Sequence, residues 1–237
     1  MKLSAPIYHL KRKAKSLARQ GNIPLHQALD RIATEEGFGG WSLLAAKASA
    51  TIAVGELFAR LSPGDMLLVG ARPGHGKTVM SLELALEAMK SGSRSAFFTL
   101  EYTERDVLDR FRRIGVDWAD VNGLFAFDSS DAISAEYIME RLASTPRGTL
   151  VVIDYLQILD QQREKPDLMT QVRALKSFAR DNGLIIVFIS QIDRSFEQSG
   201  KSCPDLGDIR LPNPLDLTLF DKTCFLNNGE VRFGAAR

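Results

Sequence analysis

The stretch VGARPGHGKTVM, residues 69–80, has the make-up of a phosphate-cradling loop that runs into a helix. Met66 to Val69 ahead of it is a short apolar run of buried-strand type. Val79 to Lys90 behind it has helix-forming composition, with Gly92 as a stop. Strand, loop and helix are the context such a loop needs. Gly74 and Gly76 remove side chains where backbone N–H groups must converge on phosphate oxygens, and the positive end of the helix dipole adds to the attraction. Ala71, Arg72, Pro73, Gly74, His75, Gly76, Lys77, Thr78 and Val79 are therefore the candidate nucleotide-binding residues. Lys77 would reach the β and γ phosphates, and the Thr78 hydroxyl would take one Mg2+ position. The strict form G-x-x-x-x-G-K-[ST] asks for glycine at position 71, where this chain has Ala71, and Gly70 stands one residue early. Alanine serves there if its φ is negative. His75 fills a variable position whose side chain points away from the phosphates.

With 237 residues, 45% hydrophobic and 25% charged, the chain is an ordinary soluble globular protein, long enough for one substantial core and a small appendage. No apolar run approaches the ~20 residues of a membrane span. The N-terminus, MKLSAPIYHLKRKAK, lacks the apolar core and small-residue cleavage site of a secretory signal, so a cytoplasmic location is expected. Cys203 and Cys224 lie far apart without a C-x-x-C, which fits a reducing compartment and argues against a structural metal. A net charge of +1 hides an asymmetry: residues 1–50 carry +5 and the remainder −4. The basic end reads either as a nucleic-acid contact or as a solvated helical face.

Residues 1–50 read as a small basic helical segment and 51–237 as a separate α/β domain. Tyr8 to Gln20 is a basic helix, Pro24 opens a second over Leu25 to Gly37, Phe38 to Ser42 is a turn, and Leu43 to Ala48 is a third helical piece. Phe38 and Trp41 would plug this cluster, with base stacking the alternative. Beyond the loop's helix come strands at Ser95–Leu100, Leu124–Phe127, Thr149–Asp154 and Leu184–Ile189. Helices over Arg105–Ile114, Ser134–Ala143 and Met169–Arg180 alternate with them. That order implies right-handed crossovers and a mostly parallel sheet covered on both faces. Ile192 to Pro214 reads as an extended loop, and Leu215–Phe220 with Lys222–Leu226 and Glu230–Phe233 as further strands around an Asn-Asn-Gly turn.

The alternation places acids at the sheet's carboxyl edge. Asp154 ends a strand too apolar to be exposed on either face, and it can hold the Mg2+ of a nucleotide through a water. Glu101, ending the strand before, is placed to activate a water as general base, or is an ordinary loop acid or helix cap. Gln191, after the next strand, can bond a γ-phosphate or the attacking water, or is a plain polar strand end.

Four segments together, ARPGHGKT (71–78), FTLE (98–101), LVVIDYLQIL (150–159) and ISQIDRSFEQ (189–198), resemble the ATPase domain of the DnaB family of replicative DNA helicases, within the RecA-like superfamily. The likeness covers roughly residues 51–228. It implies a RecA-like P-loop NTPase fold with ATP and Mg2+ as cofactors. Lys77, Glu101 and Gln191 become catalytic, with Glu101 as base and Gln191 as γ-phosphate sensor, while Thr78 and Asp154 become the Mg2+ side. Single-stranded DNA would be contacted by Arg163, Lys165, Arg194 and Lys201 on channel-facing loops. A homo-oligomer, a hexamer in that family, is the implied assembly. The family's Lys-x-Arg finger has no clear match, and Arg232 or Arg237 could substitute. The function implied is a DNA helicase or DNA-dependent ATPase; the alternative is a non-translocating regulatory or loading ATPase that works through a protein partner.

Overall fold

The computed structural model describes residues 7–48, 54–116, 118–121, 123–160, 165–211 and 213–236. The chain forms two compact units, Met1–Ala53 with Asn227–Val231, and Val54–Leu226 with Arg232–Arg237.

In the smaller unit, α1 (Ile7–Gly21), α2 (Leu25–Glu35) and α3 (Trp41–Ala48) follow one another. Leu10 and Ala14 of α1, Ala28, Ile32 and Ala33 of α2, and Leu44 of α3 form its core, with Phe38 and Trp41 packed against it as the plug the sequence suggests. α3 starts at Trp41 and not at Leu43, because the Asp30 carboxylate on α2 accepts the Trp41 N–H at 2.9 Å. A cap supplied from another helix leaves no local sequence signal.

From Val54 the chain runs α4 (Val54–Phe58), β1 (Met66–Ala71), α5 (Lys77–Lys90), β2 (Ser95–Thr99), α6 (Glu104–Arg113), α7 (Trp118–Val121), β3 (Phe125–Asp128), α8 (Ala135–Leu142), β4 (Leu150–Asp154), α9 (Leu168–Asn182), β5 (Ile185–Gln191), β6 (Lys222–Asn227) and β7 (Glu230–Ala235). Seven strands lie in one sheet in the order β3-β2-β4-β5-β1-β6-β7. The pairs β2·β3, β2·β4, β4·β5, β1·β5 and β1·β6 are all parallel. β1, β2 and β4 are buried along their whole length, as the near-continuous apolar runs require of strands covered on both faces. On one face Met66, Leu68, Phe98, Val151, Ile153, Ile186 and Phe188 meet Ile138 and Leu142 of α8 and Val172, Leu175 and Ala179 of α9. Alternate residues of these strands point to the other face. β6 turns into β7 through Asn228 (φ 50°) and Gly229 (φ 86°), a two-residue hairpin turn with both central φ values positive.

Leu215–Phe220 is not a strand. Asp216 accepts the Thr218 N–H and hydroxyl at 3.0 and 2.6 Å, and this local bonding winds Leu217–Leu219 into a 3-10 turn. The segment after β5 is more ordered than a loop reading suggests. It contains 3-10 turns at Arg194–Gln198 and Leu206–Asp208 and an antiparallel bridge between Ile192 and Ile209. Gly70 is explained by packing: a Cβ there would lie 2.8 Å from the Phe225 ring.

Candidate active site

Parallel pairing brings four chain segments to one edge of the sheet. In the order β2-β4-β5-β1, the carboxyl ends carry Glu101, Asp154, Gln191 and the 71–79 loop. The register sets Thr99 beside Asp154 and Ala71 beside Gln191. This edge is where an open α/β sheet offers a crevice to ligands.

The loop is built for close approach. Gly74 (φ 79°) and Gly76 (φ 90°) adopt left-handed backbone, and a Cβ on either would project into open space, with nothing within 4 Å. Ala71 is buried and is not among the residues of positive φ, so alanine is tolerated where the strict pattern has glycine. α5 begins at Lys77 with Gly76 as its N-cap and no side-chain cap, whereas α6, α8 and α9 are capped by Thr103, Ser134 and Asp167. The first-turn N–H groups of α5 have no intrahelical acceptor and are left for an anion. Val79 lies exposed on this turn, and Pro73 lies exposed on the loop.

Lys77 and Thr78 are both buried. The Thr78 hydroxyl donates to Asp154 Oδ2 at 3.2 Å, which brings residues 76 positions apart together although β5 separates their strands. Asp154 is fully buried, and its Oδ1 has no hydrogen-bond partner among the described residues. Burial, together with the nearby negative charge of Glu101, pushes its carboxyl up to about 6, against the opposing pull of Lys77 and of the Thr78 hydrogen bond. Lys77 forms no ion pair among the described residues. Glu101 is exposed at the rim, its own N–H donating to Thr99 Oγ1 at 3.0 Å. The donor set suits Mg2+, which takes one or two carboxylates or hydroxyls plus substrate phosphates and waters. No group of three or more His, Cys, Asp or Glu residues among the described residues forms a protein-only cage.

Several contacts lie beyond what the sequence motifs mark. Arg72 reaches out of the loop to Glu197, Nη2 and Nε donating to Oε1 at 2.7 and 3.0 Å, while Nη1 donates to the Ile192 carbonyl at 3.0 Å. Gln157 Nε2 donates to the Arg210 carbonyl at 2.6 Å, and Arg210 N–H donates to the Gln191 carbonyl at 2.8 Å. A chain of bonds thus ties the segment after β4 to the end of β5. The DYLQ motif contains Gln157, but its partner lies 53 residues on.

The cations expected on channel loops fare differently. Lys165 donates to the Ala132 and Ile133 carbonyls, both at 2.8 Å, and burial lowers its pKa. Lys201 pairs with Asp205 and Asp208 at 2.9 and 3.0 Å. Arg194 is exposed, and Arg163 lies outside the described residues, as does Arg237. Arg232 is exposed on β7.

A mostly parallel sheet with a glycine loop entering a helix, an acid-tipped strand two places away and a second acid beyond it defines a RecA-like domain of the P-loop class. The chain belongs to the DnaB-like helicase C-terminal domain family, whose model matches residues 49–122 and 122–213. It is 28% identical over 186 residues to the replicative DNA helicase DnaB of Leifsonia xyli, a match that takes in 65% of this chain and 41% of that protein. The chain thus corresponds to about two fifths of that relative's length. Among solved structures it resembles the ATPase domain of G40P, with TM-score 0.57, 20% identity, and coverage of 77% of this chain and 80% of that one. It also resembles a DnaB-like replicative helicase studied with its primase interactions, with TM-score 0.59, 21% identity, and coverage of 92% and 65%. At these identities the structural likenesses show the fold. No helix among the described residues is long and apolar enough to cross a membrane.

Proposed function

We propose that residues 51–237 bind and hydrolyse ATP with Mg2+ and couple turnover to single-stranded DNA, as a DNA helicase or DNA-dependent ATPase working as a homo-oligomer. The observation that carries this reading is the Thr78–Asp154 contact at the first turn of a helix without a side-chain cap, with the buried Asp154 Oδ1 left without a partner among the described residues. N–H groups of the 74–79 loop and the first turn of α5 hold the β and γ phosphates, and Lys77 stabilises negative charge that builds as the γ-phosphoryl group transfers. Thr78 and Asp154 would hold Mg2+ from the protein side, and the metal would supply charge neutralisation at the phosphate oxygens. Glu101 orients a water and takes its proton as the oxygen attacks phosphorus and ADP leaves. Gln191 contributes a side-chain amide toward the γ-phosphate or that water. Arg194, with Arg163, is left as the cation set for DNA phosphates.

A second reading, a regulatory or loading ATPase that does not translocate, is favoured by one observation: Lys165 and Lys201 are occupied by internal acceptors. ATP hydrolysis by the purified protein, with and without single-stranded DNA and beside Lys77→Ala, tests both. Stimulation by DNA that vanishes in Lys77→Ala supports the motor. Turnover indifferent to DNA leaves the regulatory reading, and no turnover in the unaltered protein rejects both.

A further inference from the structure

We propose that α1 carries a phosphate-binding stripe, Arg12, Lys15 and Arg19, through which the small helical unit anchors to nucleic acid independently of the ATPase loops. At about 100° per residue these three side chains fall within an arc of ~60°. The core residues Leu10, Ala14 and Leu17 occupy the opposite side of the helix. The stripe is therefore turned outward by the same packing that folds the unit, and all three residues are exposed.

Two further observations separate this face from an ordinary solvated one. α1 contains no Asp or Glu at all, so nothing on the helix offsets the cations, and Lys15 and Arg19 at i,i+4 and Arg12 and Lys15 at i,i+3 oppose one another. The acid that approaches from α2, Glu35, is taken by Lys13 at 2.7 Å. No carboxylate among the described residues forms an ion pair with Arg12, Lys15 or Arg19. A face that repels itself is relieved by a polyanion laid along it.

Geometry favours nucleic acid among polyanions. Arg12 and Arg19 are ~10.5 Å apart along the axis. That is the axial length of about three phosphates of one strand at ~3.4 Å each. An amphipathic helix that inserts into a membrane needs an exposed apolar face beside its charges, and the apolar side of α1 is buried in its own unit. The choice of nucleic acid over an acidic protein also rests on the DNA-directed function proposed above. The contacts are to phosphates alone and carry no sequence preference.

The test is binding of the full chain, without nucleotide, to a fluorescent oligothymidine strand and to a mixed-sequence duplex across ~50 to ~200 mM salt. The variant Arg12→Gln/Lys15→Gln/Arg19→Gln should bind roughly 10- to 100-fold more weakly near 0.1 M salt, with a salt slope shallower by about 2 to 3. Arg12→Lys/Arg19→Lys should keep the wild-type slope, and Lys90→Gln/Arg112→Gln, which removes exposed cations elsewhere, should not change it. Unchanged melting of the triple variant shows that the fold is retained. Equal affinity and slope in the triple variant overturn the proposal, as does a wild-type chain that ignores both nucleic acids. Tighter capture by anionic phosphatidylglycerol vesicles or by polyglutamate overturns it too, by assigning the face to another class. ATP turnover is read separately. A protein that binds through the stripe but whose turnover ignores DNA loses the motor reading and keeps this one; DNA-stimulated turnover with stripe-independent binding does the reverse.

Discussion

The two ends of the sheet's parallel strands treat their polar groups in opposite ways. At the amino end, Asp221 accepts the Met66 N–H at 2.7 Å, pairs with the buried Lys176 and lies 3.9 Å from Arg180, while its own N–H donates back to the Met66 carbonyl at 2.9 Å. Asp221 Oδ2 thus takes two donors, and Oδ1 lies within ion-pair reach of Arg180. At the carboxyl end, Asp154 keeps an oxygen and Ser190 a buried hydroxyl without a partner among the described residues, and α5 has an uncapped first turn. Buried polar groups are normally paired, because an unpaired one costs its desolvation. An edge that tolerates three such deficits is arranged for something that binds there, whereas the saturated end serves stability.

If that contrast holds, substitutions at the two ends have different currencies. Glu101→Gln should lower ATP turnover by about 10²- to 10⁴-fold, as loss of a general base does, with nucleotide affinity and melting temperature preserved because the carboxylate is exposed. Equilibrium nucleotide binding and steady-state turnover read the two apart. Asp221→Ala should act the other way round. Stripping Lys176 and the Met66 N–H of their shared acceptor is expected to destabilise the fold by about 3 kcal/mol in urea titrations, with turnover per folded molecule unchanged. A comparable loss of stability from Glu101→Gln would erase the distinction.

Asp154→Asn sharpens the comparison further, since stability and activity should move in opposite directions. The substitution removes a fully buried carboxylate disfavoured by burial and by Glu101, and the amide oxygen can still accept from Thr78. The nucleotide-free protein should gain about 1 kcal/mol, seen as a higher denaturant midpoint, while Mg2+-dependent turnover falls. A destabilised Asp154→Asn would mean that the carboxylate supports the fold.

Much of this edge was legible in the sequence, for a physical reason. A phosphate loop needs glycines at fixed offsets, and buried parallel strands are continuous apolar runs, so Gly74, Gly76, Lys77, Thr78 and the strand ending at Asp154 are signalled by neighbours a few residues away. Features that depend on distant partners left no such mark. Asp30 starts α3 across 11 residues, Arg72 meets Glu197 across 125, and Gln157 reaches the Arg210 carbonyl across 53. Lys165 illustrates the limit: charge and loop position alone point outward, but the structure sends its ammonium to two carbonyls more than 30 residues earlier. Leu215–Phe220 has apolar residues enough for a strand, and Asp216 overrules them with a local cap.

The uncapped start of α5 can be tested against its capped neighbours. Ser134 is buried and accepts the Tyr137 N–H at 3.3 Å ahead of α8. Ser134→Ala should cost about 1 kcal/mol, the usual value of an N-cap, and leave turnover alone. Gly76→Ala should instead be felt chiefly as lost nucleotide binding. The new methyl group meets no protein atom, and its strain at φ 90° is confined to one residue.

The smallest effect expected is at Glu197, whose ion pair with Arg72 is one of the contacts that tie down the open edge. Arg72 joins the phosphate loop to the segment after β5 by an ion pair with Glu197, itself well exposed, and by a neutral-acceptor bond to the Ile192 carbonyl. Solvent screens the first, so Glu197→Gln should change stability by no more than about 0.5 kcal/mol, and less in high salt. Arg72→Met removes both and should cost about 1 kcal/mol more, a difference that persists in high salt because the Ile192 carbonyl loses its charged donor. Amide hydrogen exchange over residues 192–198 should rise in Arg72→Met and stay near wild type in Glu197→Gln. Equal effects of the two variants, both abolished by salt, would reduce Arg72 to a surface ion pair and leave the backbone bond from the Ile192 N–H to the Ala71 carbonyl to join the phosphate loop to the segment beyond Gln191.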